Sequence, residues 1–533
     1  MRHFLYNLHI IFFYFIQPKA AADIFFEKIL ILTTAEKKRF GGECMSNKLE
    51  KKYGLLTAIC MVVGIVVGSG VFFKAQTILE KTEGDMPLGI LAWIIGGVIM
   101  IFCILAFSVL AQKYEKVNGV VDYAEATIGG KYAYMIGWFM TTTYYPGMTS
   151  VLAWLSARYL LVFICSVNPN FAMHIAASEG GCVYGPECLA LACLFLVGSY
   201  AINALSPKIA GKFQVSATFI KLVPLILMAI VGTIYGFTHN MAGSADPILI
   251  ENFKTASGNT SVLFVAVCAT AFAYEGWIIA TSINAELKNA KRNLPIALVL
   301  GGIIIIAVYV FYYIGVAGGA DVETLRTDGA SVAFTNVFGN VLGNILNLFV
   351  AISCMGTLNG LMLGTTRGLY SVAVRGYGPA PKTFSEVSEE TNMPTNSSVF
   401  AVLVCALWLV YFFGANLTPK PWFGLFSFDS SELPIITIYA FYIPIFILFM
   451  KKAKDVNPFK RFVLPSLAII GSAFMVFAAI YSHGIAPYQA AKAEGKFSCP
   501  VLFYLIVFAV IMIIGLCFAK KKETKAVPSK KKK

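Results

Sequence analysis

Twelve apolar runs of roughly 20 residues recur along the 533 residues of this chain, each long enough to cross a hydrocarbon core about 30 Å thick. They cover residues 55–79, 88–111, 132–164, 188–205, 213–236, 261–283, 295–318, 341–366, 397–414, 433–450, 463–482 and 499–519. Hydrocarbon offers backbone N–H and C=O groups no partners, so runs of this kind settle as helices. The composition agrees: 58% hydrophobic and only 13% charged, with mean hydropathy +0.73. No interval between the runs is long enough for a soluble domain. The expected fold is an all-α integral membrane bundle of 12 transmembrane helices occupying residues 45–519.

A net charge of +14 raises the question of nucleic acid, and its placement answers it. With the segment before Leu55 on the cytoplasmic side, the inside loops and tail hold 27 Lys and Arg from Met45 onward, and the outside loops hold six. That bias follows the positive-inside rule, with both termini cytoplasmic and a plasma-membrane location. The basic tail, residues 520–533, is then a topology signal that can touch anionic lipid. Nucleic acid is excluded as a partner. Cys182 and Cys188 fall in an outside loop, where an oxidising compartment would allow a disulfide. The other cysteines have no paired metal spacing.

Residues 1–44 read as a non-native or disordered extension. Their apolar stretch at 10–16 is too short to span and lacks a small-residue cleavage site. The codons of Gly41-Gly42-Glu43 can carry a bacterial ribosome-binding sequence just ahead of Met45. Translation is therefore expected to start at Met45 of a bacterial protein.

Two spans are interrupted. GIVVGSGVFF at 64–73 sets three glycines and a serine inside the first, and FAYEGW at 272–277 breaks the sixth. Paired interruptions in two halves of a chain point to the substrate site of a secondary transporter. A broken helix exposes amides at the start of its second half and carbonyls at the end of its first half. The amides attract an anion and the carbonyls a cation. A zwitterionic α-amino acid carries both charges on one carbon. The N–H groups around Gly68, Ser69, Gly70 and Val71 are the expected carboxylate site. Carbonyls near Ile65 and Val66, with those of Phe272, Ala273 and Tyr274 beside Gly276, are the expected ammonium site. The competing reading of Gly64 and Gly68 is a small-residue packing face. A glutamate at membrane depth, Glu275, favours a polar cavity.

With these motifs in order, the chain resembles the amino acid–polyamine–organocation superfamily, in its L-type amino acid transporter and bacterial serine/threonine exchanger branch. GIVVGSGVF, KFQVSATFIKL, FAYEGW with AELKNAKRNLPIAL, and SCMGTLNG with TTRGLYSVAVRGYGP carry the likeness between about Lys52 and Phe459. The resemblance implies a fold of five plus five inverted repeats, with discontinuous helices 1 and 6 and two extra helices. It implies that Phe272 is a gate closing over substrate. It implies that Lys221 occupies the place of a sodium ion, with the unwound first span and the hydroxyls of Ser353 and Thr357 as partners. Glu286, Arg292 and Arg367, with Lys288, Lys291 and Arg375, resemble a cytoplasmic latch.

Three functions compete on this reading. The first is sodium-independent exchange of neutral α-amino acids. The second is a proton-coupled or cationic amino acid or polyamine carrier, which Glu275 permits. The third is a nutrient sensor built like a transporter. Glu275 itself has three expected fates: ionised beside a cationic substrate, protonated, or turned away into a solvated vestibule. Tyr144, Tyr145 and Pro146 place aromatic bulk and a kink in the third span, as packing or as substrate contact. No GxxxxGK[ST] loop occurs, and His3, His9, His174, His239 and His483 form no metal-ligand grouping in the sequence. An enzyme, a cofactor and a metal are not expected, and no obligate protein partner is evident.

Overall fold

The computed structural model describes residues 54–520 apart from 115–118, 169, 171–184, 206, 255–258, 281–286, 389–392 and 419. The extension over 1–44, Cys182, Glu286 and most of the basic tail lie outside the described residues. Among the described residues the chain is helical, with an isolated β-bridge between Asn240 and Pro247.

The first span is two helices, α1 (Leu55–Val66) and α2 (Gly70–Lys81). α3 (Met86–Lys113) forms the second. The third is α4 (Gly130–Phe139) and α5 (Tyr145–Val167), joined by a π-turn at Met140–Tyr144. α6 (Pro186–Leu205) and α7 (Pro207–Leu227) follow. The sixth span is again broken, into α8 (Val262–Ala273) and α9 (Trp277–Ala280). Then come α10 (Ala290–Ala317) and α11 (Ala330–Ala373), which bends at Gly339. α12 (Thr395–Asn416), α13 (Leu433–Lys452), α14 (Leu464–Ile480) and α15 (Pro500–Cys517) complete the order. Among the described residues, ten helical segments are long and apolar enough to cross a membrane; the broken first and sixth supply only shorter apolar helices. In chain order each broken span opens a set of five.

The breaks position everything else. α1 lies against α9, and α2 against α8, so the two interruptions meet in the middle of the bundle. The first break is Val67, Gly68 and Ser69, with Val67 already extended. The second is Tyr274, Glu275 and Gly276, and Gly276 has φ +104°, a left-handed conformation that a side chain would strain. α8 therefore runs two residues further than the sequence suggests: Phe272 and Ala273 end the helix instead of opening the break.

The third span is shaped by Pro146. Proline has no N–H, so the carbonyl four residues earlier, that of Thr142, loses its helical partner. The indole Nε1 of Trp408 on α12 donates to it at 2.9 Å. That replacement holds the π-turn against α12 and turns Tyr144 inward.

Candidate functional site

A cavity of about 210 Å³ opens where the two breaks meet. Val66, Gly68, Ser69 and Gly70 line it from the first break, and Phe272, Ala273, Glu275 and Gly276 from the second. Lys221 and Thr357 reach it from α7 and α11. Ten of the residues expected from sequence are thus brought to one place.

The first break leaves main-chain amides at a helix start. α2 begins at Gly70, and the N–H groups of its first turn have no helical acceptor. Ser69, the N-cap, makes no capping bond, and its buried Oγ has no hydrogen-bond partner. Gly70 is required by close approach. A Cβ built there would lie 2.6 Å from Ala273 Cα and 3.1 Å from the Phe272 carbonyl oxygen. Bare backbone on α2 therefore touches bare backbone on α8, leaving the amides open to the cavity.

The carbonyl ends are partly occupied. The hydroxyl of Tyr309 on α10 lies 3.2 Å from the Val66 oxygen and 3.0 Å from the Ala273 oxygen. One hydroxyl hydrogen serves two acceptors, so lone pairs remain for an ammonium group. Tyr309 also packs edge-on to Trp93. Tyr274 sits on the far side of this arrangement, its hydroxyl donating to the Trp93 carbonyl at 2.8 Å. Tyr274 and Val71 are buried behind the cavity wall.

Lys221 is 3% exposed, and its Nζ donates to the Gly64 carbonyl in the last turn of α1. The ammonium thus caps the C-terminal end of the first half-helix, where the partial negative charge lies. Ser353 and Thr357 are not its hydrogen-bond partners. Thr357 Oγ1 donates to the Ser353 carbonyl at 3.0 Å, while Ser353 Oγ is buried without a partner.

Glu275 is 9% exposed and faces the cavity; it does not turn away into a solvated vestibule. One carboxylate oxygen accepts the Tyr144 hydroxyl, and the other, Oε2, has no hydrogen-bond partner. Tyr144 thereby proves to be a wall of the site. Met148 and Leu152 of α5, with Gly360 and Leu361 of α11, complete the lining. Nothing in their local sequence separates them from apolar residues facing lipid.

Phe272 covers one side of the cavity. It is 5% exposed and meets Phe73 edge-to-face, with ring centroids 6.2 Å apart. At the opposite end of the bundle stand the residues expected to form a latch, of which Glu286 lies outside the described residues. Arg292 and Arg367 are exposed. Arg375 carries the ion pairing, 2.7 Å from Asp122 and 3.9 Å from Glu125 of the short helix Gly119–Thr127.

A discontinuous-helix cavity with amides on one side and carbonyls on the other suits a small zwitterion. The family described as "Amino acid permease" matches residues 53–512. The serine/threonine exchanger SteT of Bacillus subtilis is 28% identical over 442 residues, covering 81% of this chain and 91% of that protein. The b(0,+)-type amino acid transporter 1 of Homo sapiens is 25% identical over 454 residues, covering 84% and 86%. The large neutral amino acids transporter small subunit 2 of Rattus norvegicus is 27% identical over 363 residues, covering 68% and 65%.

Proposed function

We propose that this chain, which belongs to the amino acid permease family, exchanges neutral α-amino acids across the plasma membrane without sodium, both termini lying in the cytoplasm. It is an amino acid transporter and not an enzyme. The observation that carries the finer reading is the junction of the two breaks. Open amides of α2 face the cavity beside carbonyls of α1 and α8, so the groups common to all α-amino acids meet main chain. Lys221 on the Gly64 carbonyl supports sodium independence, because a fixed ammonium fills the negative end of α1 where a metal cation would otherwise be needed. The likeness to SteT and to the b(0,+)-type transporter supports exchange. The test is purified protein in liposomes, preloaded or empty, offered each amino acid with sodium or choline outside. Uptake only into preloaded liposomes, unchanged in choline, is the expected result. A strict sodium requirement would overturn the reading.

Phe272 should act through size. Phe272→Tyr and Phe272→Trp keep exchange, whereas Phe272→Ala loses the cover over the cavity and with it tight coupling. The measurement is leak of radiolabelled substrate from liposomes with no substrate outside. Coupling as tight as wild type in the alanine variant would reduce Phe272 to packing.

Glu275 favours a second reading, cationic or proton-coupled transport, through its unpartnered oxygen. At 4 Å and an effective dielectric near 20, an ionised carboxylate attracts a positive side chain by about 4 kcal/mol before desolvation. Glu275→Gln keeps the shape and removes the charge. Retained serine, threonine or leucine exchange, with at most a changed pH profile, is expected. Loss of arginine or ornithine transport that the wild type performs well gives the second reading precedence.

A further inference from the structure

Beside the cavity lies a cluster of buried charge that the substrate site does not use. Glu432, fully buried at the start of α13, is shared by three nitrogen groups. Lys74 Nζ lies 2.5 Å from its Oε1, and Lys81 Nζ 3.2 Å from its Oε2. His483 Nε2 lies 3.0 Å from Oε2, and Cys268 Sγ donates to the same oxygen at 3.5 Å. The Glu432 and Ser431 amides both donate to Asp429 Oδ1, which fixes the turn that presents the carboxylate. One side chain thus ties together α2 (Lys74, Lys81), α8 (Cys268), α13 and the π-turn Tyr481–Ile485 after α14.

Lys74 has a second contact. Its Nζ stands 5.3 Å from the centre of the Phe272 ring and 5.1 Å from that of Phe73. A cation over an aromatic face is held more firmly when water is excluded, and Lys74 is 1% exposed. Glu432 fixes Lys74, and Lys74 fixes the ring that covers the cavity.

Buried ion pairs seldom hold a fold better than apolar packing of the same volume. They differ in what happens when the elements part. Charged groups regain hydration, whereas separated apolar surfaces lose by exposure. The rim is already close to water, since the Lys81 side chain is 23% exposed. The cluster also sits on the two half-helices, α2 and α8, that lie on the same side of both breaks. Cys268, Glu432 and His483 would pass for three metal ligands by spacing. Lys74 and Lys81 already neutralise the carboxylate, so the arrangement is complete as an ion-pair network.

We propose that the Glu432 cluster is the lock on this side of the cavity, the outer side in the orientation given above. Glu432 and Lys74 are positioning residues that act through Phe272. The proposal rests on the transport reading and adds to it the contacts that part when the carrier opens outward. In the locked state Lys74, Glu432 and Cys268 are inaccessible to water. In the open state water reaches all of its members.

Cys268 is therefore a native reporter. The full chain in intact cells is treated from outside with a membrane-impermeant cationic methanethiosulfonate, and modification of the Cys268 peptide is followed by mass spectrometry. Wild type should react slowly. Glu432→Gln should react at least tenfold faster per molecule, and saturating substrate should alter that rate. Glu432→Gln leaves two lysines without their carboxylate and could reduce the amount of folded protein. Glu432→Gln with Lys74→Met removes both members of the tightest pair, and it should react equally fast. A role in folding alone would lower the amount in the membrane and leave the rate per molecule unchanged. An unchanged rate in variants that reach the membrane overturns the lock, as does acceleration seen only in inside-out vesicles. If wild-type liposomes exchange no amino acid, the transport reading falls; with exchange intact and labelling unchanged, only the lock falls.

Discussion

Gly70→Ala should abolish amino acid exchange while leaving the protein in the membrane. The added methyl would stand 2.6 Å from Ala273 Cα and 3.1 Å from the Phe272 oxygen. Both neighbours are main chain at the end of α8 and cannot rotate aside as a side chain would. The two half-helices must separate, and the amides of α2 move with them. A displacement of about 1 Å at a reacting or binding centre can cost 100-fold, so exchange should fall by about that factor or more. Gly70→Leu should be at least as severe. Exchange in liposomes, with size-exclusion chromatography as the check on folding, decides it. Wild-type exchange by the alanine variant would refute carboxylate recognition at this break.

Lys221→Ala should slow turnover sharply. The variant removes the donor to the Gly64 carbonyl and leaves a dry space where a cation stood. An unmade bond to a buried polar group costs about 1–3 kcal/mol, or roughly 5-fold to 150-fold in an equilibrium that includes the intact break. The loss falls on α1, whose end forms half of the site, so the turnover rate should fall more than surface expression does. Counterflow rates normalised to reconstituted protein measure it. Unimpaired counterflow in the alanine variant would mean that Lys221 only fills space.

The parts of this site legible in sequence are those whose chemistry is local. Gly68, Ser69 and Gly70 are anomalous inside an apolar run, and Glu275 and Lys221 are anomalous at membrane depth. Each announces itself without knowledge of its neighbours. Phe272 reads from sequence as the first residue of the break, because the residues of FAYEGW do not state where hydrogen bonding stops; α8 continues through Ala273. Tyr309 gave no signal. It lies in an aromatic-rich run, and only the packing of α10 shows that it meets Val66 and Ala273. Lys74 and Glu432 are 358 positions apart, so neither reveals the other. Arg367 lies near the end of α11 and Arg375 in the turn just after it, and sequence alone offers no reason to prefer the one that meets Asp122. Met148, Leu152 and Leu361 are apolar among apolar residues, and facing a cavity leaves no mark on such a composition.

The meeting of main chain with main chain at Gly70 also bears on how such a carrier can diverge. Any missense change in that codon adds a Cβ, whatever the residue, and the contact admits none. On the proposed reading, the groups that hold the common part of a substrate are therefore closed to gradual variation. Met148, Leu152 and Leu361 are under no such constraint, because their apolar side chains line the cavity without hydrogen bonds and can be exchanged one at a time. Descendants of one such gene could take on new substrates by altering these walls alone, inheriting the grip on the α-carbon unchanged.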